Sequence, residues 1–465
     1  MKRTRRDFLK TIGVAGVAAI ASRASMGAVK KRPNILFMFA DDQAQNCLGY
    51  AGNPIIQTPN LDRLAEDGVY FENAFVTTAI CCSSRASILT GQYTRRHGIT
   101  DFRKPLSEEA FANTYPALLR KAGYRTGYLG KFAVGWPDEG IKHLSLPADK
   151  FDYWYGFPQM IDFEQKIDGQ SHYLTDVITE KAIEFLQTNP PDQPFCLTIA
   201  FKEPHELHNY FDPDFPDLYK GVNIPPAKTM TRDAYNKVPE FIRNSLNITG
   251  DSADLLGNPQ DYQKSLRTVY SLISRMDMAV GIIMSGLGAL GLDDNTIVIW
   301  ASDNGRFLGE HGLEGKWLMY EESIRIPLII RDPRQDFSLR GRRVRQMALN
   351  IDLAPTMLGF AGVSIPKQMQ GENLAGIVAG SNRILRQDWY YEHFYDHNGK
   401  IRPSEGVRTD EWKYIRYPKE NPPFEQLFHL LEDPYELDNL AQNADYGTIL
   451  TRLRNRCDAY RQELM

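Results

Sequence analysis

Residues 80–91 read ICCSSRASILTG: two adjacent thiols, two hydroxyls and a guanidinium at the head of an apolar run. Ser83 and Ser84 ahead of ASIL predict a helix start at that point. The neighbouring thiols would then lie by the positive end of a helix dipole, which favours charge developing on a nucleophile. A free cysteine is most often a buried core thiol. For Cys81 the adjoining Arg85 and the helix start argue against that reading, whereas Cys82 reads as structural.

A second group of chemically able residues follows the predicted strands. Asp41 and Asp42 come after NILFMFA, Asp303 and Asn304 after IVIWA, Lys202, Glu203 and His205 after LTIAF, and Lys131 after YRTGYLG. In open α/β sheets ligands gather outside the carboxyl ends of the strands, so these positions are the ones to weigh. Three acidic side chains and an amide are hard oxygen donors, suited to calcium or magnesium rather than zinc. An Asp at a strand end is also a common helix cap, so it is the joint placement that points to a cation. Among the other histidines, His97 in RRHG reads as a structural hydrogen-bonding residue, and His311 in GEHG either faces the site or supports its loop. His208 is a substrate contact or has no role.

The elements that must position these groups alternate. Asn34–Ala40 is a continuous apolar run after a proline, the pattern of a strand buried in a parallel sheet. Further strands are expected over 124–129, 195–201, 296–301 and 327–330, and helices over 58–67, 115–122, 174–186, 266–288 and 352–361, the first with Thr58 as its N-cap. This alternation predicts a doubly wound α/β domain with helices on both faces, over 33–378. From 379 to 465 the pattern changes to WYYEHF, GVRTDEWKYIRY and QLFHLLED, then a closing helix over 446–464. A smaller subdomain with an antiparallel sheet is expected there.

The chain of 465 residues, with 42% hydrophobic and 24% charged residues, has the make-up of an ordinary globular enzyme. Its five cysteines are too few and too irregular for a disulfide framework, and none forms a CxxC pair of the zinc type. MKRTRRDFLKTIGVAGVAAIASRASMGA has the basic start, apolar middle and small-residue finish of a secretory signal, and TRRDFLK matches its twin-arginine form. Export by the twin-arginine machinery to the periplasm or beyond is the expectation. Removing residues 1–28 leaves 48 basic and 57 acidic residues, a net charge of −9, which argues against nucleic-acid binding. No later apolar stretch is expected to approach membrane-spanning length, so the mature chain is expected to be soluble or peripherally held.

Taken together, these landmarks resemble the type I sulfatases of the alkaline phosphatase superfamily. The family signature C-x-P-S-R-x-x-x-L-T-G is matched from Cys81 to Gly91 except at Ser83, where proline or alanine is usual. The Asp41–Asp42 pair, TPNLDRLAEDGVYFENAF, GYRTGYLGK, Pro204–His205, ASDNG, GEHGLEGKWLMYEESIRIPLII, NIDLAPTMLGFAG and LEDPYELDNLA follow in the family's order across the mature chain. The resemblance implies an alkaline phosphatase-like doubly wound mixed sheet with a C-terminal α+β subdomain. It implies a sulfuric ester hydrolase in which Cys81 is oxidised to formylglycine and held by Arg85. By the same resemblance Asp41, Asp42, Asp303 and Asn304 bind calcium, or magnesium, together with residue 81, while Lys131, His205 and Lys316 grip the sulfate and protonate the departing oxygen.

A hydrated aldehyde at position 81 beside a divalent cation would be an activated nucleophile. Two departures bear on the carry-over. Many members have a histidine two residues after the first lysine; here that residue is Ala133, and His311 or another group would replace it. Ser83 alters the local sequence read by a formylglycine-generating or anaerobic sulfatase-maturing enzyme. Two rival functions remain open: a phosphodiesterase or phosphonate monoester hydrolase of the same superfamily, and a non-catalytic relative that binds sulfated glycans. For the substrate, a sulfated carbohydrate such as N-acetylglucosamine 6-sulfate is expected. Trp136, Trp154, Tyr155, Tyr173, Tyr391, His393, Arg402, Arg408 and Trp412 are candidate sugar contacts.

Overall fold

A run as apolar as Asn34–Ala40 (β1) has to be covered on both faces, and every one of its residues is buried. Successive side chains of a strand point to opposite faces. Ile35, Phe37 and Phe39 accordingly join one core, and Leu36, Met38 and Ala40 the other. These positions come from a computed structural model that describes residues 31–135, 146–158, 161–205, 218–247 and 259–464. Residues 1–28, where an export signal is expected, and Trp136 and His208 lie outside the described residues.

The main sheet also contains Val69–Phe71 (β2), Arg125–Lys131 (β3), Tyr153–Phe157 (β4), Phe195–Ala200 (β5), Thr296–Ser302 (β6), Ile329–Arg331 (β7) and Arg342–Val344 (β8). Its spatial order is β8-β2-β7-β6-β1-β5-β3-β4. β1 runs parallel to β5 and β6, and β3 runs parallel to β4 and β5, whereas β7 is antiparallel to β2 and β6, so the sheet is mixed as expected. Phe39 stands opposite Ala200, Ala40 opposite Ser302 and Gly130 opposite Ala200. The segments leaving β1, β6, β5 and β3 therefore emerge side by side on one rim.

Helices Pro59–Glu66 (α1), Leu174–Gln187 (α4) and Pro259–Ala289 (α5) cover one face; Cys81–Thr90 (α2), Tyr115–Lys121 (α3) and Leu353–Phe360 (α6) cover the other. Thr58 does not cap α1 with its hydroxyl, which instead accepts from the Gly49 amide and donates to Asp62. The free amides of Asn60 and Leu61 are taken by Asp277 of α5, 3.1 and 2.8 Å away. Residues Tyr262–Ala289 of α5 are long and apolar enough to cross a membrane by length and composition, which corrects the expectation that no such stretch exists. In the fold this helix packs on α1 and α4, and Ile273, Met276, Val280 and Ile283 sit in the core.

The C-terminal part is an antiparallel sheet of Asp388–His393 (β9), Ser404–Thr409 (β10), Trp412–Tyr417 (β11) and Phe424–His429 (β12), with Gly447–Glu463 (α7) packed on it. Trp389, Tyr390 and Tyr391 join the same core as α2.

Gly130, just before Lys131, has φ 93°, and a Cβ there would strike the Ala200 carbonyl of β5. Gly130→Ala is therefore expected to destabilise the protein by at least ~2 kcal/mol in urea unfolding, combining left-handed strain with a backbone clash.

Candidate active site

Cys81 is the first residue of α2, not a residue ahead of it. Ile80 is the extended N-cap, and the Ser84 amide closes the first turn on the Ile80 carbonyl. The serines predicted to start the helix work elsewhere. Ser84 Oγ donates to the Asp303 carbonyl and accepts from Asn350 Nδ2 at 2.8 Å. This ties the helix that begins at Cys81 to the loop after β6.

Around the Cys81 sulfur the rim segments converge. Lys316 Nζ is 2.8 Å from Sγ, Asp41 Oδ1 3.4 Å and Lys131 Nζ 3.7 Å. Lys131 pairs with Asp41, and Lys316 with Asp42. Arg85 points back from the next turn of α2. Its Nε donates to Asp303 Oδ2 at 2.7 Å, its Nη1 donates to the Lys131 carbonyl, and its Nη2 is 3.6 Å from Asp41. The Phe39 ring lies beneath the guanidinium at 4.8 Å. Arg85 thus fixes the ends of β1, β3 and β6 to the helix that carries Cys81.

Asp41, Asp42 and Asp303 are fully buried and each offers a carboxylate oxygen within 4.8 Å of the others. Asn304 Nδ2 donates to Asp42 Oδ1 at 2.6 Å and to the Gly305 carbonyl at 2.9 Å, which fixes the amide's orientation. Its Oδ1 is buried and has no hydrogen-bond partner among the described residues, a cost that a bound cation would remove. Three carboxylates plus an orphaned amide oxygen fit a hard divalent ion. Asp41, Cys81 and His205 form a second close group of donors, so residue 81 borders the same place.

The charges are strongly coupled to burial. Burial works to raise Asp41, but Lys131, His205 and Arg85 hold it well below the usual carboxylate range. Burial also opposes ionisation of Asp42, and Lys316 reverses it. For Asp303 burial and then Asp41 win over Arg85, pushing the carboxyl up to about 7. The Cys81 thiol is pushed far up by burial and by Asp41, so an unmodified sulfur would stay protonated and be a poor nucleophile. Burial and then Lys131 drive His205 down to about 3, which leaves its ring neutral at pH 7.

The sulfatase family model matches residues 33–363, and the model for the C-terminal part of N-sulphoglucosamine sulphohydrolase matches 309–463. The chain belongs to the sulfatase family. It is 30% identical to an N-acetylglucosamine-6-O-sulfatase of Bacteroides thetaiotaomicron over 90% of this chain and 84% of that protein. It is also 30% identical to human N-acetylglucosamine-6-sulfatase, over 82% of this chain and 69% of the relative. A solved structure of a protein in complex with its substrate D-glucosamine-2-N,6-O-disulfate superposes with a TM-score of 0.80 at 27% identity, covering 93% and 98% of the two chains. The protein is therefore a sulfuric ester hydrolase of the alkaline phosphatase superfamily.

In this sulfatase the fold brings together Cys81, Arg85, Lys131, His205, Lys316, Asp41, Asp42, Asp303 and Asn304. His311 is placed apart: its ring packs against Phe307 and Tyr320, and its Nε2 is 3.9 Å from Glu322. His97 is structural as expected, with Nε2 3.0 Å from Ser87 Oγ and Nδ1 accepting from the Ile99 amide.

Several expected sugar contacts are core or paired instead. Tyr391 and Tyr173 are buried, Trp412 stacks on His429 at 4.3 Å, Arg408 pairs with Glu321, His393 hydrogen-bonds the Tyr395 carbonyl, and Trp154 stacks on Tyr128. One contributor that the sequence reading missed is Arg306, directly after DNG. Its Nη1 donates to Asp42 Oδ2 at 2.9 Å and to the His205 carbonyl at 3.0 Å.

A divalent ion at the carboxylates has to displace the proton that Asp303 holds below about pH 7. With calcium as the probe ion, titration calorimetry on chelator-dialysed protein is expected to show an affinity about tenfold lower at pH 6 than at pH 8, with proton release on binding. Equal affinity at both pH values would contradict this assignment.

Proposed function

We propose that the sulfatase removes sulfate from a sulfated carbohydrate, with N-acetylglucosamine 6-sulfate as the leading substrate, using a formylglycine made from Cys81 and one divalent cation. The observation that carries this reading is the placement of Cys81 between Lys131 and Lys316 beside the carboxylate set. The two N-acetylglucosamine 6-sulfatases that the chain resembles at 30% identity support the sugar. Asp41, Asp42, Asp303 and Asn304 would hold calcium or magnesium, which would supply a Lewis acid for the nucleophile and the sulfate oxygens.

The chain's own groups do the rest. Lys131, Lys316, Arg85 and Arg306 set four cations against three carboxylates, so an anionic ester meets a local positive surplus within an acidic protein. Arg85 keeps residue 81 at the helix terminus, and that terminus favours negative charge on the attacking oxygen. His205 is neutral in the free site, and a bound sulfate next to it would restore its proton for delivery to the departing sugar oxygen. Burial excludes bulk water from the lysines and carboxylates and strengthens each of these contacts.

Sulfate release across defined sulfated monosaccharides and oligosaccharides tests the reading. N-acetylglucosamine 6-sulfate should be cleaved on the order of 100-fold faster than 2-O- or 4-O-sulfated sugars, and Cys81→Ala should lose at least ~1,000-fold in kcat. Faster turnover of aryl phosphate diesters than of any sulfate ester would favour the phosphodiesterase reading. Sugar binding without sulfate release would favour a non-catalytic one.

A further inference from the structure

Lys316 follows the short strand Glu314–Gly315 and reaches both Asp42 and the Cys81 sulfur. The backbone around it is constrained. Trp317 has φ 81°, a left-handed conformation that is costly for a non-glycine residue and persists only where its surroundings over-determine it. Two side chains from distant segments supply that constraint.

On one side is Asn247, which is fully buried. Its Nδ2 donates to the backbone carbonyls of Glu314 at 2.9 Å and Lys316 at 2.7 Å, and its backbone carbonyl accepts from the Glu314 amide at 2.8 Å. On the other side is Tyr391 of β9, fully buried as well. Its hydroxyl donates to the Trp317 carbonyl at 2.6 Å and accepts from the Ala79 amide at 3.3 Å. One oxygen atom thus touches the residue after Lys316 and the residue two before Cys81. The next residue of β9 strengthens the second attachment, because the Glu392 amide donates to the Thr77 carbonyl at 3.0 Å.

We propose that Tyr391 and Asn247 form a two-sided clamp of positioning residues that sets Lys316 against residue 81. Asn247 fixes the lysine's segment, and Tyr391 fixes that segment to the start of the nucleophile helix. The C-terminal sheet is in this way part of the catalytic apparatus, although neither Tyr391 nor Asn247 contacts the Cys81 sulfur. A displacement near 1 Å between a nucleophile and a catalytic cation can cost on the order of 100-fold in rate, which is the scale of effect a clamp of this kind protects.

The test is a double-mutant cycle on sulfate ester hydrolysis, with rates per mole of native protein and unfolding midpoints measured in parallel. Tyr391→Phe keeps the ring and removes only the hydroxyl. It is expected to lower kcat by about 10- to 100-fold with KM changed less than about threefold. Asn247→Ala should behave alike, which keeps the clamp testable where one of the two variants does not fold. In a Lys316→Ala background both substitutions should cost less than about twofold, because they act through that lysine. Tyr414→Phe removes a hydroxyl bonded to Glu425 in the same sheet and should leave kcat unchanged. Full kcat in Tyr391→Phe and Asn247→Ala, or the same fold loss with and without Lys316, would overturn the clamp.

Discussion

Three carboxylates buried side by side are the constraint on which the rest of this site depends. Asp41 and Asp42 could not remain ionised in such a place without compensation, and Asp303 keeps its proton up to about pH 7 even beside Arg85, since isolated buried charge is among the most expensive features a fold can carry. Each is met by a fixed cation: Lys131 on Asp41, Lys316 and Arg306 on Asp42, and Arg85 on Asp303. The partners that satisfy the carboxylates are also the groups that would receive a sulfate ester. On the proposed reading, one electrostatic arrangement serves folding, cation binding and substrate attraction.

The sheet makes that arrangement possible because β1, β3, β5 and β6 end on one rim. Parallel register places Asp41, Lys131, His205 and Asp303 within reach of one another although they are far apart in sequence. Arg85 then locks the rim to α2 through the Asp303 carboxylate and the Lys131 carbonyl. The opposite wall comes from the loop with Lys316, held from outside by Asn247 and by Tyr391 of the C-terminal sheet. A domain whose chemistry sits on parallel strands thus relies on an antiparallel sheet for its final alignment.

Much of this was legible in the sequence, for identifiable reasons. The apolar run of β1 and the oxygen donors directly after β1 and β6 are local patterns, and they mark both the sheet and its functional edge. The signature from Cys81 to Gly91 singles out residue 81. What was misread depends on contacts between distant segments. Ser84 resembles a helix cap in sequence but is used to bond the Asp303 carbonyl, so α2 starts three residues earlier. Thr58 gives way as a cap to Asp277, more than 200 residues away. Tyr391 and Trp412 have the composition of a sugar platform, yet burial in the C-terminal core removes them from the surface. Arg306, Asn247 and Asp277 carry no local pattern at all, because their roles are set by what tertiary structure places beside them.

The proposed chemistry turns on residue 81. As a buried thiol whose ionisation is opposed by Asp41, cysteine would be inert there, so the proposed chemistry needs its conversion to an aldehyde. The most direct measurement is the mass of the tryptic peptide carrying residue 81, taken from protein that is actively releasing sulfate. Formylglycine is expected at that position despite the serine at 83. An unmodified cysteine in fully active protein would contradict it.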